Sequence, residues 1–249
     1  DTRGSIRLSR PICSVLPAQS RIRDPTCSMT LGMSTVSQAG ADNDVLFGEA
    51  GLDLLFGGRG GDALSGGPDP DLLFGNRGND WLHGDDGVDL LFGNRGDDHL
   101  DGGSHTDLVF GGRGDDKLHG GPAVDLLFGS RGADRLFGDG ETDLLFGSRG
   151  DDKLWGGPGV DLIFASRGVD VVFGEDSRDV VFGGRDGDVV YGGLGKDIIF
   201  GGRHDDTLFG DDERDLIFGG RDDDLIDGGS GDDLLFGNRG NDEILGGPG

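Results

Sequence analysis

From Asp53 onward a short apolar run recurs every eighteen residues: Asp53-Leu54-Leu55-Phe56, Asp71-Leu72-Leu73-Phe74, and so on to Asp233-Leu234-Leu235-Phe236. Midway between these stands a second run, such as Asp80-Trp81-Leu82, Asp98-His99-Leu100 and Asp116-Lys117-Leu118. Both kinds are too short for helices and rich in β-prone residues, so they predict strands. Side chains alternate faces along a strand, which turns the central aliphatic residue inward. These central positions include Leu55, Leu73, Leu91 and Val109 on one strand, and Leu64, Leu82, Leu100 and Leu118 on the other. Glycine pairs between the runs supply the positive φ that tight turns need. A strict period repeated eleven times predicts a solenoid, in which each coil buries its apolar face only against its neighbours. The expected fold is all-β: a parallel β-roll, or two-sheet right-handed β-helix, of about eleven coils. At a strand spacing of roughly 4.8 Å it makes a rod about 50 Å long.

The same alternation sends two further columns outward. One is Leu, Val or Ile (Leu54, Leu72, Val180, Ile198) and the other is invariant Phe, from Phe56 to Phe236. The corresponding positions of the other sheet look mixed (Trp81, His99, Lys117, Arg135, Glu243), which predicts one apolar and one polar face. An apolar stripe of that length favours protein docking or self-association; the competing expectation is that Phe folds back to complete the core.

Composition narrows the chemistry. The formal charge of -26 over 249 residues repels a compact state and argues against nucleic acid, whose phosphates need Lys and Arg. Glycine is abundant, with 54 residues, but not at every third position, so collagen is excluded. No apolar run is long enough for a membrane span. Residues 1–39 lack the repeat and read as a flexible segment, ahead of a β-roll over 40–249. Cys13 and Cys27 both fall in that segment, and the sequence leaves open whether they pair.

An Asp at every ninth position gives two columns of carboxylates at one-coil spacing, which repel unless a cation lies between them. The columns are Asp44, Asp62, Asp80, Asp98, Asp116, Asp134, Asp152, Asp170, Asp188, Asp206, Asp224 and Asp242, and Asp53, Asp71, Asp89, Asp107, Asp125, Asp143, Asp161, Asp179, Asp197, Asp215 and Asp233. Calcium suits them best, because it takes 6–8 oxygens in flexible geometry, carboxylate and carbonyl alike. Gly111-Gly112-Arg113-Gly114-Asp115-Asp116-Lys117-Leu118-His119 and Gly156-Gly157-Pro158-Gly159-Val160-Asp161-Leu162-Ile163-Phe164 both fit the nonapeptide G-G-x-G-x-D-x-U-x. At these residues, and over about 44–249, the chain resembles RTX, or haemolysin-type calcium-binding, repeats. The resemblance implies multiple Ca2+ ions between successive turns, held by the Asp columns and turn carbonyls, with folding coupled to binding.

The two turns of each coil are not equal. The turn before the mixed strand keeps its second key glycine in eight of eleven copies, with Asp186, His204 and Asp222 as departures. The other turn keeps it only at Gly51, Gly87, Gly159, Gly195 and Gly231. A nearly filled calcium row is expected on the first edge and a patchy one on the second, with Ala165 weakening its own turn. Arg fills one first-edge position in every copy, from Arg59 to Arg239. It is expected to pair with nearby carboxylates, or alternatively to form a comb for acidic polymers.

No H-E-x-x-H, G-x-S-x-G or P-loop motif occurs, so the chain is not expected to be an enzyme. The function expected is that of a secreted, extracellular, calcium-folded structural or interaction module. The alternatives are the non-catalytic repeat region of a secreted protease, lipase or polysaccharide-active enzyme, and an adhesin-like or ice-binding rod.

Overall fold

The computed structural model describes residues 36–249; the expected flexible segment, apart from its residues 36–39, and the question of Cys13 and Cys27 lie outside those residues. Twenty-four strands, from β1 (Val36–Gln38) and β2 (Val45–Phe47) to β24 (Glu243–Leu245), alternate between two twelve-stranded parallel sheets. Each strand pairs with the strand eighteen residues away, as Leu54, Leu55 and Phe56 of β3 (Leu54–Arg59) pair with Leu72, Leu73 and Phe74. The result is a parallel β-solenoid of two sheets, with no helix among the described residues.

It has twelve coils where the repeat pattern suggested eleven. The extra coil begins at β1, ahead of residue 40: Val36, Ser37 and Gln38 pair with Leu54, Leu55 and Phe56. Those residues share no motif with the repeat. Ladder pairing uses the main chain, so a strand can extend the sheet without repeating the sequence.

The core is the predicted pair of aliphatic columns. Leu55 to Ile217 in one sheet and Leu64 to Ile226 in the other are essentially closed to solvent. In the last coil Leu235 is only partly buried and Ile244 is 44% exposed, because nothing stacks on their outer side. Strands of the first sheet mostly run six residues rather than three, continuing from the Phe through the glycine turn to the Arg. β13 (Leu144–Phe146) stops early, although its partner β15 (Leu162–Arg167) does not. The residues that drop out, 147–149, lie beside Ala165, the one copy in which a methyl replaces the turn's first glycine.

Phe does not fold back into the core. Eleven rings, Phe56 to Phe236, stand half-exposed in one stack along the first sheet, with centroids 4.7–5.0 Å apart and planes within 10°. The other sheet is not uniformly polar as expected. Phe137, Trp155, Phe173, Tyr191 and Phe209 form a second stack, with centroids 4.5–5.6 Å apart and His119 at its end. Polar groups at this position flank the stack: Ser65, His83 and Asp101 before it and Asp227 after it.

Candidate metal rows along the two edges

Each Asp of the nine-residue columns immediately precedes a strand, and the roll closes over it. From Asp53 to Asp224 these residues are at most 4% exposed. One carboxylate oxygen has a fixed partner: Oδ1 accepts the backbone N–H of the Asp eighteen residues earlier. Asp62 N–H donates to Asp80 at 2.8 Å, Asp71 to Asp89 at 2.7 Å, and Asp116 to Asp134 at 2.8 Å. The ladder runs unbroken from the Asp44–Asp62 pair to the Asp224–Asp242 pair. The second oxygen, Oδ2, is buried without a hydrogen-bond partner in all twenty residues from Asp62 to Asp233. Orphaned buried oxygens are rare and costly in native proteins. Twenty in one repeated position leave each carboxylate to be satisfied by a proton or by a cation.

The glycine five residues earlier shapes that place. A methyl on Gly57 would sit 2.5 Å from Asp62 Oδ2 and 2.9 Å from the Gly75 carbonyl oxygen. On the opposite edge a methyl on Gly120 would sit 2.6 Å from Asp125 Oδ2 and 2.8 Å from the Gly138 carbonyl oxygen. The carboxylate and a carbonyl of the next coil therefore crowd one small space that glycine leaves open and that Ala165 narrows. No three Asp, Glu, His or Cys side chains converge among the described residues. An ion here must complete its shell with main-chain oxygens, which fits a hard cation such as calcium and not zinc.

Burial sets the electrostatics. Desolvation raises the carboxyls of Asp107, Asp116, Asp143, Asp152, Asp179 and Asp188 from 3.8 to about 8. The neighbour's N–H opposes the shift, and flanking carboxylates of the same column add to it. Asp71, Asp98 and Asp125 rise to about 7, and Asp80, Asp134 and Asp161 to about 6, for the same leading reason. Near neutral pH the column thus takes up either protons or a cation.

The edges differ in backbone. On the first, Gly78, Gly96, Gly114, Gly132, Gly150 and Gly168 hold φ between 121° and 133°, a region closed to other residues. The departures Asp186, His204 and Asp222 sit instead near 72–78°, in the ordinary left-handed region. On the second edge Gly159, Gly195 and Gly231 lie at 149–152°, while His105, Glu141, Ser177 and Glu213 lie at 66–83°. The drift in sequence is a drift between two turn shapes.

A second ladder on the first edge escaped the sequence reading. Side-chain oxygens of Asn79, Asp97, Asp115, Asp151, Asp205 and Asp223 accept the N–H of the residue eighteen positions later, at 2.8–3.0 Å. The signal was the recurrent Asn-Asp or Asp-Asp doublet, of which only the second member was taken as functional. The histidines are not all bare surface groups. His83 bridges Asp85 at 3.0 Å and Asp101 at 3.2 Å, and His119 meets Asp139 at 2.9 Å. His99 stacks on Trp81, and burial lowers its pKa.

Arg59 to Arg239 form the expected in-register column, and all eleven are exposed. The anticipated pairing with Asp or Glu does not occur: the ion pairs among the described residues are those of His83 and His119. The residue before each Arg passes through positive φ, as at Asn76, Asn94 and Ser130. Asn76 and Asn94 brace that turn by donating Nδ2 to the carbonyls of Phe74 and Phe92. Each guanidinium is thereby thrown out at the corner of the roll, away from the carboxylates.

The chain was compared with known proteins. No curated protein sequence matches it. A solved structure, the crystal structure of a hyperactive, Ca2+-dependent, β-helical antifreeze protein from an Antarctic bacterium, aligns over 89% of this chain and 86% of that one, at 20% identity and a TM-score of 0.44. The sequence profile of the RTX calcium-binding nonapeptide repeat matches in eleven stretches, overlapping from residue 65 onward, that together run from residue 35 to residue 249. With most of its length so matched, and the glycine–aspartate geometry of the turns to account for the match, the chain belongs to the RTX calcium-binding nonapeptide repeat family.

Proposed function

We propose that this protein is an extracellular, calcium-folded β-roll that acts as a structural or interaction module rather than as a catalyst. The observation that carries the proposal is the row of buried, unpartnered Asp Oδ2 atoms from Asp62 to Asp233, many of them crowding a turn glycine together with a carbonyl of the following coil. The twenty-three Asp from Asp44 to Asp242 are the proposed ligands, with the turn carbonyls completing each shell. The ions stitch one coil to the next, so binding energy is folding energy. In a low-calcium compartment the net charge of -26 holds the chain open; millimolar calcium outside a cell closes it. The first edge, with its more regular turns and double ladder, fills before the second.

Far-UV circular dichroism at neutral pH, during titration with calcium and then with a chelator, tests this. A strand signal that appears with calcium and collapses with chelator is expected. A signal indifferent to both overturns the proposal.

A further inference from the structure

The Arg column and the Phe stack are neighbours on one face. Across the first sheet the outward positions run Leu, Phe, then a small residue (Gly, Asn or Ser), then Arg at the corner. Between Phe and Arg the small residues leave a shallow groove of about 260 Å³, lined by Phe92, Phe110, Asn94, Gly112, Arg113 and Arg131. The register that builds it at these coils recurs along the rod, because Phe pairs with Phe and Arg with Arg at successive coils.

Three properties define what fits. First, eleven of the seventeen Lys and Arg in residues 36–249 lie in this single row, although the protein as a whole is strongly acidic. Guanidinium groups held free of internal partners are suited to carboxylate and sulfate oxygens. Second, the Phe rings stack face to face on one another. Their faces are therefore covered and their edges point outward, and a ring edge carries the positive end of the quadrupole. The wall opposite the arginines thus also favours an anion, and it offers no face for an uncharged sugar to stack on. Third, the charges repeat once per coil, roughly every 4.8 Å, about the length of one sugar unit in an extended chain.

We infer that this groove binds a linear acidic polysaccharide laid along the rod, with about one charged sugar per coil. The inference rests on the calcium-folded reading above: only the folded roll lines up the arginines, and cations in the Asp rows quench the acidity beside them.

The test uses the whole protein in calcium. Binding to immobilised heparin and chondroitin sulfate is compared with neutral dextran and with duplex DNA, for the natural chain and for a variant with Arg95, Arg113, Arg131, Arg149 and Arg167 all changed to Gln. Dichroism is recorded on each sample. The expected result is binding to the acidic polysaccharides alone. Affinity should rise with saccharide length and weaken about tenfold or more in the variant, whose strand signal in calcium is unchanged. Equal binding by the variant, equal binding of DNA, or no binding by the folded natural chain overturns the inference. A Lys variant at the same five positions guards against misfolding of the Gln variant; it should retain binding in part, and complete loss with intact folding also overturns the inference, since charge alone should then hold the polymer. Failure of the strand signal to respond to calcium is a separate outcome that strikes the calcium-folding proposal instead.

Discussion

The two edges of the roll carry the same buried Asp ladder yet are laced together differently. On the first edge, carboxylates of the main column reach back to the preceding coil, while Asn and Asp of the second ladder accept from the following one. On the second edge the buried column alone runs throughout. The first edge keeps the glycine-only turn from Gly60 to Gly168 and departs from it at Asp186, His204 and Asp222, whereas the second switches between the two turn shapes at shorter intervals. A solenoid therefore does not need both seams to be equally good. One seam held in both directions can keep register, which leaves the other free to vary in sequence.

The largest break in this comparison should come from unequal damage to the two seams. Changing Asp98, Asp116 and Asp134 together to Asn removes three adjacent first-edge charges but keeps the Oδ1 acceptors. The calcium concentration at the folding midpoint should rise about tenfold, roughly 1.4 kcal/mol. The same change at Asp107, Asp125 and Asp143 on the second edge should raise it distinctly less. Equal shifts in the dichroism titrations would erase the distinction.

Acidity should matter next, and in the opposite sense to ordinary carboxylates. The buried Asp have folded-state pKa values raised from 3.8 to about 6–8, so the folded state binds more protons than the unfolded state across that window. Without calcium, stability should be greatest near and below pH 4 and fall as pH rises through about 8. A chelated sample whose strand signal grows with pH over that range would contradict the burial of the ladder. Calcium should flatten the dependence by replacing protons at neutral pH.

A smaller effect is expected at the single misfit. Ala165 places a methyl where the other ten repeat copies have glycine, beside the shortened β13. Ala165→Gly should raise Tm in calcium by about 2–4 °C, the equivalent of about 1 kcal/mol. The smallest is at His204 and Asp222, where changing both to Gly should restore the first-edge turn shape and lower the calcium midpoint by less than about threefold. A rise instead would show that those turns are adapted to their side chains.

Much of this was legible in the sequence because a solenoid translates period directly into position. Leu55 and Leu64 could be placed in the core, and Asp62 and Asp71 on opposite edges, from spacing alone. What escaped has physical causes. The pairing of β1 rests on main-chain bonds, to which side-chain identity is silent. The second stack, Phe137 to Phe209, follows the same eighteen-residue spacing, but it lies two residues beyond the mixed column of Trp81, His99, Lys117 and Arg135 that made this face look polar. Whether Arg113 meets a carboxylate depends on the positive φ of its neighbour at Gly112, a torsion that composition does not reveal.

The buried ladder also gives the rod a sense. Every Oδ1 of the main column points toward the coil before it, so the two ends of the stack are chemically different, like the ends of a polar filament. Between any two coils the later one presents carboxyl oxygens and the earlier one the N–H groups they accept, as Asp116 does toward Asp98. Anything that lengthens the ladder must match this sense. Two lengths of this ladder therefore match in register only when they run in the same sense.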